Sequence, residues 1–334
     1  MRISRLFTAA AAAILAHIPA VPASAADQLP LDWTISPSGS AADKVQFQVT
    51  YEEGRNRSNF SNSFAIAELQ GLSAAQLASV EGAPVRFRVA REAGTLDCQG
   101  VMRQRRGTGD CRFMGNAAFA EILARRGIGR PTVRQQFNLT MTNVGTPLLA
   151  ELDRQGYRKP TLEQLVGLGI HGATADYLRG LDSAGYRLGD PGKLTAMRIH
   201  GVTPDYIREL IAISPSYRGI SADDLVSMRI HGISPAKVRG LAQLGYPKLS
   251  HGQLMQMAIH GVTPDYVRGM QEAGYRRLSP DELVQMRIHG VTPKFVREMA
   301  DAGYRNLSGQ QLLQLRIHGV SADMARRANA AVRN

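Results

Sequence analysis

The stretch MRIHGVTPDY, Met197–Tyr206, decides how this chain is read. Its core, Ile-His-Gly, occurs six times, with histidines at His171, His200, His231, His260, His289 and His318. The intervals are 29, 31, 29, 29 and 29 residues. A fixed period in this range marks a chain built by stacking one supersecondary unit. The single longer interval has a local cause. Where other copies read Ala-Gly-Tyr, one reads Ile213-Ser214-Pro215-Ser216-Tyr217.

The copy from Thr263 to Val291 shows the unit. Thr263 is an N-cap and Pro264 occupies the first helical position. Tyr266, Val267, Met270 and Ala273 share one helical face, and Gly274 ends the helix in a left-handed cap. Ser279 and Glu282 form a capping box for a second helix. Leu283, Val284, Met286 and Ile288 are expected to supply its apolar side, and Gly290 to end it. Helices of about ten residues, ~15 Å long, are marginal alone. They hold when neighbouring units bury each other's apolar faces. Residues 145–334 are therefore expected to form an all-α solenoid of six helix-pair repeats plus a terminal helix from Ser321.

Six histidines at constant spacing raise the question of metal or catalysis. Each falls on the side away from the apolar arc, at the last helical turn before the terminating glycine. There a histidine suits the negative helix end, so the six are read as structural caps. Equivalent sites in packed helices repeat at about 8–10 Å. Zinc ligands sit about 2.0–2.1 Å from their metal, so one histidine per unit does not make a site. No His-Glu-x-x-His, Cys-x-x-Cys or Gly-x-Ser-x-Gly arrangement is present. No metal, cofactor or enzymatic activity is expected.

Two arginine ladders accompany the repeat. Arg198, Arg229, Arg287 and Arg316 precede the Ile-His pair, replaced by Gly169 and Ala258 in the other copies. By phase they lie within the apolar arc, with packed stems and heads reaching out. The second ladder, Arg179, Arg208, Arg239, Arg268, Arg297 and Arg326, is complete and lies on the outer face of the first helix. It reads either as Asp–Arg pairing at i,i+3, worth about 0.2–0.5 kcal/mol, or as a repeated recognition face for an acidic partner.

The first half follows a different period. Val45, Phe47, Val49 and Tyr51 alternate with polar residues, as do Val85, Phe87 and Val89, and Phe137, Leu139 and Met141. These read as half-buried strands. LDCQGVMRQRRGTGDCRF, Leu96–Phe113, reads as a hairpin with an arginine-rich tip and a bulge at Gly107 or Gly109. Cys98 and Cys111, the only cysteines, are expected to form one disulfide across it on an export route. A metal pair or two free thiols are the other readings, and no histidine stands near them in sequence. One inserted helix is expected, with Asn116 as N-cap, Phe119, Ile122 and Leu123 inward, and Gly127 as stop. The fold class is thus α+β, a β-rich domain at 26–144 preceding the solenoid.

The first 25 residues read as a signal peptide. Arg2 and Arg5 precede an apolar run to Val21, and Ala23-Ser24-Ala25 fits a cleavage site before Ala26. The other reading is an N-terminal membrane anchor, against which Pro19 and the cleavage site count. The expected location is the periplasm or the exterior. The net charge is +12, and residues 86–134 carry 11 basic and 4 acidic side chains, a net +7. Outside the cytosol such a surface meets acidic proteins, anionic glycans or lipid head groups rather than nucleic acid.

The phrase I-H-G-V-[ST]-P-x-[YF]-[VI]-R, followed by A-G-Y-x-x-L-S-x-[DQ]-x-L, resembles a repeat of exported bacterial proteins of unknown function. It is also similar to the C-terminal extracytoplasmic part of some membrane metallopeptidases related to the β-lactam sensor-transducers. The likeness spans about Thr146 to Asn334, and R-E-A-G-T-L-D-C-Q-G, Arg91–Gly100, is similar to the segment that often precedes such repeats. The peptidase motif is missing, so the resemblance implies an exported scaffold or sensor-like module. The expected function is non-enzymatic binding of an envelope protein, with the first-helix arginines as the contact. The alternative is binding of anionic glycan or lipid by Arg103, Arg105 and Arg106 of the hairpin tip.

Overall fold

A computed structural model of the chain describes residues 29–39, 42–53 and 56–333. The expected signal peptide and its cleavage site lie outside the described residues. The architecture is α+β, an antiparallel six-stranded sheet followed by helices, sixteen α-helices in all among the described residues. Two compact units divide it. One holds the described residues up to Val89 together with Leu96–Met114, the other Ala90–Thr95 and the chain from Gly115 onward.

The strands are β1 (Pro30–Pro37), β2 (Lys44–Glu53), β3 (Asn56–Ala65), β4 (Ala83–Arg91), β5 (Gly94–Arg103) and β6 (Arg106–Gly115). Their order across the sheet is β3-β2-β1-β6-β5-β4. Alternation dictates which face is buried. Leu31, Trp33 and Ile35 of β1 turn inward beside Val45, Phe47 and Val49 of β2 and Val85, Phe87 and Val89 of β4. Phe87 meets Trp33 edge-on at 5.0 Å and Phe47 at 5.7 Å. A residue of one edge strand thus touches the middle strands, which requires the sheet to curl over its own inner face. A short helix, α1 (Ala74–Ala78), is boxed by Ser73 and Gln76.

The Cys98–Cys111 disulfide is formed and joins β5 to β6. Their turn is the pair Gln104-Arg105, both at positive φ (50° and 60°), the geometry of a two-residue hairpin loop. The expected bulge at Gly107 or Gly109 is absent. Both glycines sit in unbroken register with β1, Gly107 opposite Ile35 and Gly109 opposite Trp33. They serve the tryptophan instead. A Cβ on Gly109 would lie 2.8 Å from Trp33 Nε1, and one on Gly100 2.7 Å from Trp33 Cζ2. The indole lies flat on a glycine floor and donates to the Gln99 carbonyl at 2.9 Å.

The second unit is helical. It runs through α2 (Ala117–Arg125), α3 (Val133–Met141), α4 (Thr146–Arg154), α5 (Leu162–Ile170), α6 (Ala175–Ser183), α7 (Pro191–Ile199) and α8 (Pro204–Ile213). It continues with α9 (Ala222–Ile230), α10 (Pro235–Gln243), α11 (His251–Ile259), α12 (Pro264–Glu272), α13 (Pro280–Ile288), α14 (Pro293–Asp301), α15 (Gly309–Ile317) and α16 (Ala322–Arg333). Thr263 caps α12, and Ser279 with Glu282 boxes α13, as their sequence spacing predicts. Gly274 and Gly290 take positive φ, 104° and 72°. The two extra residues of the longer copy are taken up by a ten-residue α8 and a 3-10 turn at Pro215–Tyr217.

Helices pack on the next but one: α5 on α7, α7 on α9, α9 on α11, α11 on α13 and α13 on α15, with α4 to α16 forming a parallel series. Their apolar residues join one continuous core, for example Tyr266, Val267 and Met270 of α12 with Leu283 and Met286 of α13.

One expected strand is a helix. Phe137, Leu139 and Met141 lie on α3, capped by Thr132 boxed with Gln135. Alternation over six residues fits a strand, but α3 belongs to the helical period. Asn116, Gly127, Thr132 and Thr142 each stand 29 residues before Gly145, Gly156, Thr161 and His171. Asn143, at φ 55°, takes the left-handed position that glycine holds elsewhere, and Val144 N–H closes on the Leu139 carbonyl at 2.9 Å as Val202 does on Met197. The pair α2–α3 is a degenerate further copy, and α3 packs on α5.

Candidate interaction surface

Each Ile-His-Gly ends a second helix in the same way. The histidine is the C-cap residue of α5, α7, α9, α11, α13 and α15. The following glycine has φ between 66° and 72°. Its successor's N–H reaches back to the third residue from the helix end, as in Val202 to Met197 O at 2.8 Å. The six imidazoles make no hydrogen bond to any described residue. They hold the cap position through their backbone, and other side chains bond the carbonyls of three of them, His171, His200 and His289.

Arginines of the following helix pair supply those bonds. Arg198 Nε donates to the carbonyls of His171 and Gly172, both at 3.0 Å. Arg229 Nε donates to His200 O at 3.2 Å, Arg287 Nε to Gly261 O at 3.2 Å and Arg316 Nε to His289 O at 3.4 Å. A guanidinium there meets the negative end of the preceding helix. Each also lies over an aromatic ring on the first helix of its own pair. The distances to the ring centre are 5.1 Å for Arg198 on Tyr177, 5.0 Å for Arg229 on Tyr206, 5.1 Å for Arg287 on Tyr266 and 4.9 Å for Arg316 on Phe295. The tyrosines extend the seam further. Tyr177, Tyr206 and Tyr266 donate their hydroxyls to the carbonyls of Val202, Ile233 and Val291 at 2.7, 3.0 and 2.8 Å. Burial pushes the Tyr206 and Tyr266 phenols up to about 12, with Arg229 and Arg287 opposing, so they remain neutral donors.

The two copies lacking the arginine lack the aromatic too. Leu148 stands at the ring position before Gly169, and Lys237 before Ala258. At Gly169 a Cβ would lie 2.3 Å from Thr142 Oγ1, so the preceding cap leaves no room for a side chain. At Ala258 the gap is a cavity of about 50 Å³ bordered by Lys237, Met257 and Val262. Cavities known to take a benzene ring are about 150 Å³, so this one holds no ring. Lys237 instead brings its ammonium over the cap, with Nζ 3.4 Å from where a Cβ on Gly232 would lie. A cation therefore sits over five of the six caps: Arg198, Arg229, Lys237, Arg287 and Arg316.

The expected contact row sits differently. Arg179, Arg208, Arg268 and Arg326 pair with the aspartates three residues before them, Asp176, Asp205, Asp265 and Asp323. Arg239 meets Glu209 of α8 at 3.5 Å, and Arg179 also faces Glu151 at 3.5 Å. Only Arg297 of the row has no described partner. In the hairpin tip, Arg103 Nε donates to Val80 O at 2.8 Å and Arg105 to Ala42 O at 3.0 Å. The tip backbone is held too, Gln104 and Arg105 donating to Ser79 and Leu77 carbonyls at 2.7 Å. Arg106 alone is exposed and without a described partner. The basic tip is largely committed to its own unit.

A feature the residue pattern did not disclose lies beside the caps. Ile170, Ile199, Ile230, Ile259, Ile288 and Ile317, each the last residue of its helix, are between 47% and 57% exposed. Ile288, expected on the apolar side of α13, is among them. Of the ten large apolar side chains exposed among the described residues, these are six, so the exposure follows the repeat. Scattered exposed apolar residues are ordinary, whereas apolar exposure kept at one position in all six copies is not scattered. Covering each would contribute on the order of 1 kcal/mol, half the value of full burial.

Among the described residues no group of three or more His, Cys, Asp or Glu could hold a metal ion, and no helix is long and apolar enough to cross a membrane. No protein-family model, curated protein or solved structure matches the chain.

Proposed function

We propose that this chain is an exported, non-enzymatic binding scaffold of the bacterial envelope, whose helical half is an α-solenoid presenting one repeated surface to a protein partner. The observation that carries this reading is the row of six half-exposed isoleucines at one repeat position. Seam residues repeat because the seam needs them. Tyr206, Arg229 and Gly201 are explained by the bonds they make. The isoleucines have no such explanation, and an array of packed helices is a rigid base for an extended interface. Export is supported by the sequence of the first 25 residues and by the Cys98–Cys111 disulfide.

Photo-crosslinking residues placed at Ile199, Ile230 and Ile288 of the chain produced in its own envelope test this. The expected result is one and the same protein joined at all three positions and not at Asp265 or Asp323 on the first-helix row. Adducts at none of the three, or equally at the control positions, would contradict it.

A further inference from the structure

The edge of caps has a chemistry as well as a shape. We propose that it docks an extended acidic segment of a protein partner, with an apolar side chain on each isoleucine and carboxylates on the cations seated over the caps. This rests on the scaffold reading above and specifies the partner's character.

The two cationic rows differ in what they have already bound. On the first helices, five of the six arginines are paired with Asp or Glu. Over the caps, Arg198, Arg229, Lys237, Arg287 and Arg316 form no ion pair with any described carboxylate. Their only bonds to described residues are to backbone carbonyls, through Nε of the four arginines. The terminal guanidinium nitrogens remain for a ligand. Stacking on Tyr177, Tyr206, Tyr266 and Phe295 fixes each plane in advance. A carboxylate arriving there meets an ordered fork, and little rotamer freedom is lost on binding. The isoleucine stands immediately before the His-Gly cap over which the cation sits, so five of the six rungs offer one apolar and one positive contact.

The step between rungs selects the form of the partner. Directly packed helices stand about 8–10 Å apart, and the rungs end successive packed helices. A polyproline II segment returns the same face every three residues, about 9.3 Å on. A β-strand returns it every ~6.7 Å and an α-helix every ~5.4 Å, both out of step. The fitting segment carries an apolar residue at every third position, with Asp or Glu between.

Three synthetic peptides test this on the full chain by fluorescence anisotropy: five repeats each of Leu-Glu-Pro, Leu-Gln-Pro and Leu-Lys-Pro. The Glu peptide is expected to bind at least tenfold more tightly than the Gln peptide, and the Lys peptide not at all. Ile199→Ser with Ile230→Ser and Ile288→Ser should weaken the Glu peptide at least tenfold. Arg229→Gln with Arg287→Gln should bring it down to the level of the Gln peptide. If the arginine variant does not fold, a loss of Glu-peptide binding at high salt reads the same contact. Equal binding of Glu and Gln peptides, lost in the isoleucine variant, would overturn the acidic partner and leave the scaffold reading intact. Binding of no peptide, or binding indifferent to the isoleucines, would overturn the docking edge. Isoleucine-dependent binding of phosphatidylglycerol vesicles without peptide binding would replace the peptide partner with a lipid surface.

Discussion

Arg229 lies 5.0 Å above the centre of the Tyr206 ring while its Nε donates to the carbonyl of His200. One side chain thus bonds the end of α7 and stacks on α8, and the contact recurs wherever an aromatic stands at the ring position. Arg229→Ala should lower unfolding stability by about 1–2 kcal/mol, from a charged hydrogen bond and a stacked cation at a partly exposed site. Arg229→Lys should recover less than half of it. The chain itself contains the tolerated alternative, Lys237 with Ala258. Tyr206→Lys combined with Arg229→Ala is therefore expected to cost less than the sum of the two single changes, as measured by a urea double-mutant cycle.

Gly274 and Gly290 separate conformational strain from crowding. A Cβ on Gly274, at φ 104°, meets nothing within 4 Å, so Gly274→Ala should cost about 1 kcal/mol from backbone conformation alone. At Gly290 a Cβ would also lie 2.9 Å from an Arg316 terminal nitrogen. Gly290→Ala should cost more, and Arg316→Ala should remove the excess. Equal losses at the two sites would show that Arg316 does not sit over the cap.

The glycine floor of the sheet is less forgiving. A Cβ on Gly109 would lie 2.0 Å from the Gln99 carbonyl oxygen as well as against Trp33. Gly109→Ala should cost about 3 kcal/mol or more, at the upper end of overpacking effects, and shift the emission of Trp33, the chain's single tryptophan. Unchanged emission and stability would contradict the indole placement.

How much of this the residues disclosed depends on how local the signal is. Capping boxes, terminating glycines and the 29-residue period are short-range, so the helix pairs from α4 onward could be read directly. The alternation of Phe137, Leu139 and Met141 was also short-range and misleading. The register of Thr132 and Thr142 against Thr161 and His171 carries the correct reading, and it shows only when the period is extended upstream. Gly107 and Gly109 suggest a bulge until Trp33 is placed over them, a contact spanning strands far apart in sequence. The arginines over the caps leave a visible signal in the sequence: the joint change of Tyr-Arg to Lys237-Ala258. The exposure of the isoleucines carried none, because Ile288 at a helix end has the phase of a core residue.

Acid should weaken the start of the helical unit. The hydrogen bond from Arg154 holds the nearly buried Glu151 carboxyl below its ordinary range, and Arg187 and then Arg154 do the same for Asp182. Groups whose folded values are depressed contribute stability that is fully present above the unfolded carboxylate range, about pH 4. That stability is lost as pH falls through the folded values. Glu151→Gln should melt lower at pH 7 and show a shallower loss of stability between about pH 5 and pH 2. Parallel pH curves for the variant and the parent chain would reject the assignment.

Under the proposed function the isoleucine row is kept for contact and not for folding, and one melting curve tests that most directly. The variant Ile199→Ser, Ile230→Ser, Ile288→Ser should melt within about 6 °C of the parent chain, since surface substitutions each change stability by ~0.5 kcal/mol or less. If these side chains were core, each change would cost ~2–4 kcal/mol and the melting temperature would fall by roughly 15 °C or more. The small shift leaves binding as the reason the chain repeats isoleucine six times; the large one would make the row structural and remove the observation on which the proposed function rests.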